Sequence, residues 1–134
     1  AVHTLKTNLI EAEAISGIAT KSDADLPDVA RWFHQQGVSR VFITLGGQGV
    51  FYSTGKDLGT QLPPAQQESI VNANGAGDAF MAGLAYSWLR QWNIDRSVGF
   101  AQAAASITLA DRQTNSSRLS LEHVTRVYES NYAN

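Results

Sequence analysis

Apolar and polar positions change period several times along this chain, and each change marks an element. Ala1-Val2-His3-Thr4-Leu5-Lys6 reads as a strand entered mid-stream, so the chain is expected to be a fragment or a processed piece. Asn8 to Ser16 reads as a short helix stopped by Gly17. From Asp25 to Gln36, Leu26, Val29, Ala30 and Phe33 recur at helical spacing, and Gly37 ends the pattern. Arg40-Val41-Phe42-Ile43-Thr44-Leu45 is β-branched and apolar and too short for a buried helix, which predicts a strand. Gly46-Gly47-Gln48-Gly49 turns it into a second strand, Val50-Phe51-Tyr52-Ser53, and Gly55 marks another turn. Pro63-Pro64 makes an irregular connection toward an apolar segment, Ser69-Ile70-Val71.

Three helices are predicted to finish the chain. From Ala79 to about Trp92, the residues Phe80, Met81, Leu84, Ala85, Trp88 and Trp92 form a stripe at helical spacing. From Arg96 to Ala110 the face is mostly alanine, which permits close approach to a neighbour. From Ser120, a plausible N-cap, Leu121, Val124, Val127 and Tyr128 make a third stripe. Strands alternating with helices imply an α/β layered sheet, with the aromatic residues of the stripes in its core.

Composition narrows the function classes. The 134 residues leave room for one compact unit, and 43% hydrophobic against 16% charged residues speaks for a folded core. A net charge of −2 without a lysine-arginine cluster gives no nucleic-acid footprint. Zero cysteines exclude disulfides, thiolate metal sites and a cysteine nucleophile, and fit a cytoplasmic protein. No apolar run has membrane-spanning length, so no membrane partner is expected. His3, His34 and His123 lack metal-ligand spacing and read as surface or packing residues.

The chemistry is concentrated in Val71-Asn72-Ala73-Asn74-Gly75-Ala76-Gly77-Asp78-Ala79-Phe80, where an apolar segment runs into two glycines, an acid and a helix. Small residues at the mouth of a helix let a phosphate reach bare backbone N–H groups, and the helix dipole favours negative charge there. Asp78 adds a proton acceptor beside that anion site, a combination suited to phosphoryl transfer to a hydroxyl. Taken alone, the same four residues also describe a tight turn whose acid complements the dipole.

Two further groups carry the same double reading. Asn8 and Glu11, three apart at a helix start, form a capping box. They are equally placed to face nucleotide phosphates and hold the water shell of a Mg²⁺ ion, and both roles are compatible. In Thr44-Leu45-Gly46-Gly47-Gln48-Gly49 the glycines suit a hairpin turn that needs positive φ. Thr44 and the glycine backbone would equally offer donors to a phosphate at the carboxyl edge of the sheet, where α/β folds bind ligands.

The order of these three groups at strand-to-turn junctions resembles the ribokinase-like, or PfkB, family of carbohydrate and nucleoside kinases. The resemblance runs over essentially the whole chain but only the C-terminal portion of a family member. It implies a ribokinase-like layered α/β/α sandwich in which residues 1–134 are the C-terminal nucleotide-binding and catalytic portion, the N-terminal substrate and lid portion being absent. His3-Thr4-Leu5-Lys6, the Asn8–Glu11 pair, the turn after Thr44, Asn72 to Phe80, Ala30 to Gly37 and Phe100-Ala101-Gln102 look most similar to the pseudouridine kinases of that family. By this resemblance Asp78 would accept the proton of a sugar hydroxyl attacking the γ-phosphate of ATP, and the backbone of Gly75, Ala76 and Gly77 would form the anion hole. Asn8 matches the family position associated with phosphate, and Glu11 its partner associated with Mg²⁺. Thr44, Gly46, Gly47 and Gly49 match the nucleotide-phosphate turn, and Asn74 belongs with these cofactor-binding positions. Gln102 falls where the family places a residue beside the purine.

Some positions depart from the family pattern. Asn72 and Asn74 stand where many relatives carry aspartate and threonine, and Asp111 to Ser117 lacks the glycine usual in that loop. Both departures speak against activation by a monovalent cation such as potassium. Thr7 replaces a frequent proline, loosening the turn without removing chemistry. The implied partner is a small-molecule sugar or nucleoside, with pseudouridine the favoured acceptor and ribose or fructose the alternatives. Full-length relatives often pair through the lid, which this chain lacks. A fragment retaining only a nucleotide-binding shell would be inactive by itself. A dinucleotide oxidoreductase is disfavoured, because no Gly-x-Gly-x-x-Gly turn follows the first strand.

Overall fold

A computed structural model describes residues 2–64, 75–109 and 120–132. The chain divides into two units, 1–62 and 63–134. Each has its own hydrophobic cluster, one between a sheet and two helices and one among three helices. The predicted strand at Ser69-Ile70-Val71 and the loop 111–117 lie outside the described residues.

The first unit is a four-stranded sheet with two α-helices. Strand β1 (Thr4–Asn8) leads into helix α1 (Leu9–Ser16), a short 3₁₀ turn (Asp23–Asp25) and helix α2 (Leu26–Gln35). Strand β2 (Arg40–Thr44) then pairs parallel to β1. A second 3₁₀ turn (Gly46–Gln48) reverses the chain into β3 (Val50–Ser53), and β4 (Leu58–Gln61) returns beside it, both antiparallel. The strand order is β1-β2-β3-β4.

Alternation in the strands decides which side chains meet the helices. Val41 and Ile43 of β2 and Phe51 of β3 pack with Ala12 of α1 and with Leu26, Val29, Ala30 and Phe33 of α2. All four apolar positions predicted for α2 are therefore buried, and Pro27 sits in its first turn, where a missing N–H is harmless. His34, near the end of α2, bridges Val38 O and Ser53 Oγ at 2.8 Å each, a packing role that ties the helix to β3. Strand β4 has no counterpart in the sequence reading. Its Leu-Gly-Thr-Gln sequence lacks an apolar alternation, and it pairs only at the edge of the sheet, where that pattern is not required.

The second unit holds α3 (Ala76–Leu89), α4 (Ile94–Leu109) and α5 (Leu121–Asn131). Helix α3 starts three residues before the expected Ala79, and α4 starts at Ile94 rather than Arg96 because Asn93 Oδ1 accepts the Arg96 N–H at 2.8 Å. Ser120 caps α5 as expected, accepting the His123 N–H at 3.2 Å. The alanine face of α4 does allow close approach. A Cβ on Gly83 would lie 2.8 Å from Ala101 Cα, so α3 and α4 touch through backbone there. The buried face of α3 is Ala79, Phe80, Gly83, Leu84 and Ser87, which keeps Phe80 and Leu84 of the predicted stripe and adds three small residues to them. Ala85 is exposed and Trp88 is 55% exposed.

Phe100 of α4 is the centre of an aromatic group. Tyr86 stacks on it at 5.4 Å, Trp92 meets it edge-on at 5.2 Å, and Arg96 lies 3.8 Å over Trp92. Burial raises the Tyr132 phenol pKa at the end of this group. Beside these rings lies a cleft of about 450 Å³ that Thr125 and Tyr128 of α5 help to line. None of the predicted site residues lines it.

Candidate functional site

In the first unit, parallel pairing gathers residues that are far apart in sequence. Asn8 and Thr44 are register partners at the carboxyl ends of β1 and β2, so the two strand-to-turn junctions sit side by side. The Thr44 hydroxyl donates to Thr7 O at 3.4 Å, linking the ends. Asn8 Oδ1 accepts the Glu11 N–H at 2.8 Å, and the Asn8 N–H donates to Glu11 Oε1 at 3.1 Å. The capping box is thus complete. It leaves the Asn8 amide nitrogen and Glu11 Oε2 without a partner among the described residues, and both side chains are exposed.

The turn after Thr44 consumes some of its own donors and leaves others. Leu45 N–H donates to Gly49 O at 2.8 Å, Gln48 N–H to Leu45 O at 3.2 Å and Gly49 N–H to Gly46 O at 3.1 Å. The N–H groups of Gly46 and Gly47 keep no partner among the described residues, and both residues are exposed. Two adjacent amides left open by a turn are groups that suit an anion. Gly49 serves the turn differently. It adopts φ 96°, and its backbone presses against Gln61 and Leu62.

The second unit holds the acid and the other amides. Gly75 is the N-cap of α3 in a left-handed conformation (φ 87°), and no side chain caps the helix. The first helical bond runs from Ala79 N–H to Gly75 O at 2.9 Å. The N–H groups of Ala76, Gly77 and Asp78 precede that bond and have no acceptor within the helix. They add to the positive end of a 14-residue helix dipole. Asp78 lies in the first turn with its side chain exposed. In the sequence, Gly75 to Gly77 read as a turn ahead of a helix that begins near Ala79. They are instead its N-cap and first two helical residues, which places Asp78 among the amide donors as well as beside them.

Gln102 is 5% exposed within α4. Asn74 and Asn72 lie outside the described residues. Thr7 is a residue whose part the sequence reading missed: it is 4% exposed, and both its carbonyl and its hydroxyl engage site residues.

The donors present fit a magnesium ion held mainly through water. Among the described residues no three His, Asp or Glu side chains cluster, which would make a protein cage. One exposed carboxylate with a single uncommitted oxygen suits an ion that retains several waters and takes further ligands from phosphates.

Comparison with known proteins gives a consistent picture. The profile of the pfkB family carbohydrate kinases matches residues 1–120. Pseudouridine kinase of Escherichia coli (strain K12) is 42% identical over 129 residues, covering 96% of this chain and 41% of that protein. Ribokinase of Haemophilus influenzae is 30% identical over 117 residues, covering 87% of this chain and 37% of that protein. A Clostridium perfringens protein of known crystal structure superposes with a TM-score of 0.89 at 33% identity, over 96% of this chain and 40% of its own. Arabidopsis thaliana ribokinase complexed with ribose and ATP superposes with a TM-score of 0.80 at 23% identity, over 95% of this chain and 41% of its own, and at that identity shows the fold alone. The architecture is a fragment of the ribokinase-like α/β fold. The chain spans 41% and 37% of the two curated relatives.

Proposed function

This chain belongs to the pfkB family of carbohydrate kinases, and from that premise we propose that it is the C-terminal nucleotide-binding and catalytic portion of an ATP-dependent phosphotransferase acting on a sugar or nucleoside hydroxyl. The observation that carries this reading is the start of α3, where three amides without an acceptor among the described residues and the exposed Asp78 carboxylate share one helical turn. The amides of Ala76, Gly77 and Asp78 bind the migrating phosphoryl oxygens. Asp78 takes the proton from the acceptor hydroxyl as its oxygen bonds to the γ-phosphorus and the bond to the ADP oxygen breaks. Thr44, Gly46 and Gly47 hold the remaining nucleotide phosphates, with Gly49 shaping the turn. Asn8 orients a phosphate through its amide, and Glu11 holds the water shell of Mg²⁺. The bound ion offsets negative charge on the phosphates. Gln102 stands near the purine. The substrate-contacting strands and the lid lie outside residues 1–134 in this reading.

Pseudouridine is the favoured acceptor, supported by the 42% identity to a pseudouridine kinase. Ribose is the second reading, supported by the 30% identity to a ribokinase. The test is ADP release by the full-length protein with ATP and Mg²⁺, offered pseudouridine, uridine, ribose or fructose in turn. Release with pseudouridine alone is the expected result, and release with ribose or fructose alone transfers the assignment to that sugar. Absence of release with every acceptor, from protein that is folded, rejects phosphotransfer.

A further inference from the structure

Thr7 closes β1 just before the Asn8 cap and is 4% exposed. Its carbonyl accepts the Thr44 hydroxyl at 3.4 Å, and its own hydroxyl lies 3.1 Å from Asn8 O and 3.5 Å from Glu11 Oε1. One residue therefore touches the end of β2, the helix cap and the acid. A hydroxyl has a single proton and serves one acceptor at a time. Asn8 is the N-cap, so its carbonyl already takes the first helical bond of α1. Glu11 Oε1 is charged and so the stronger acceptor, while the Asn8 carbonyl keeps the shorter contact.

Resting on the reading of Glu11 as the magnesium-side acid, we infer that Thr7 is the positioning residue of that acid. The Asn8 N–H holds Oε1 at 3.1 Å and the Thr7 hydroxyl lies 3.5 Å from the same oxygen, an arrangement that restrains the carboxylate and leaves Oε2 to the ion's water shell. A proline at this position would supply the bend but no donor, so the threonine contributes an orienting bond that the turn itself does not require. Outer partners of metal-side ligands typically govern affinity on the order of 10–100-fold.

The test uses the full-length protein and reads Mn²⁺ bound in the presence of ATP by water-proton relaxation, beside the Mg²⁺ dependence of turnover. Thr7→Val keeps the buried volume and removes the donor, and Thr7→Ser keeps the donor. The expected result is roughly tenfold weaker Mn²⁺ binding for Thr7→Val, near-normal binding for Thr7→Ser, and ATP binding without metal unchanged in both. Glu11→Gln separates the two levels of the argument. If Glu11→Gln weakens ion binding and Thr7→Val does not, the positioning role is overturned and the reading of Glu11 stands. If Glu11→Gln leaves ion binding intact, the reading of Glu11 falls and the positioning role with it. Equal weakening in Thr7→Ser and Thr7→Val also overturns the inference, because a shared loss despite the retained hydroxyl marks a packing effect. Thermal melting of each variant identifies one that has simply failed to fold, and Thr7→Ala, which also lacks the donor, then replaces Thr7→Val.

Discussion

Asp78→Asn is expected to lower kcat by about 10²–10⁴-fold in the full-length protein, the range a positioned general base contributes. ATP affinity is expected to stay within about twofold of the parent, since the amides of Ala76, Gly77 and Asp78 are backbone groups that the substitution leaves in place. The carboxamide matches the carboxylate in shape but neither accepts the hydroxyl proton nor carries charge. Because the side chain is exposed, no core packing is disturbed. The lost interaction with the helix dipole costs only about 0.3–1 kcal/mol, so the protein melts near its original temperature. Calorimetric ATP titration and steady-state turnover on the same preparation check both halves. Near-normal kcat would remove Asp78 from the chemistry. Loss of ATP binding together with turnover would show that its charge organises the helix start rather than moving a proton.

The readings that held were those carried by short spacings. Asn8 and Glu11 are three residues apart, the distance over which a cap closes on its own helix, so the box was legible without knowing the sheet. The apolar positions of α2 likewise repeat within one element. What the sequence hid depends on partners distant along the chain. Nothing near Thr44 announces that it faces Asn8, because parallel register is set by the crossover through α1 and α2 and by burial of Val41 and Ile43. Gly-Ala-Gly looks like loop by propensity, yet α3 begins at Ala76, with the helix held from beyond by backbone contact between Gly83 and Ala101. Thr7 is silent in the sequence because its part depends on its hydroxyl, which comes near Glu11 only once α1 has formed at the end of β1.

The turn after Thr44 offers the sharpest separation of structure from function, because two of its glycines have opposite surroundings. Gly49 sits at φ 96° and ψ −141°, a region close to glycine-only, and a Cβ there would overlap the Gln61 carbonyl oxygen and come within 2.9 Å of Leu62 Cα. Both obstacles are backbone, so neither can swing aside. Gly49→Ala is therefore expected to cost about 3 kcal/mol and to lower the thermal midpoint by roughly 5–10 °C, with β3–β4 pairing the first to open. Gly47 has no positive φ, and a Cβ added to it meets nothing within 4 Å. The fold gives no reason for a glycine there, and the N–H groups of Gly46 and Gly47 have no partner among the described residues. Gly47→Ala is expected to melt within about 2 °C of the parent, since a compatible Gly→Ala exchange is neutral or mildly stabilising. It should nevertheless bind ATP roughly tenfold more weakly, a loss of about 1.4 kcal/mol, because the methyl group stands where a phosphate would approach the backbone. Melting curves and ATP titrations of the two variants decide the matter together. Parent-like ATP binding by Gly47→Ala would mean that the turn only reverses the chain, and parent-like melting of Gly49→Ala would mean that the contact with Gln61 yields at little cost.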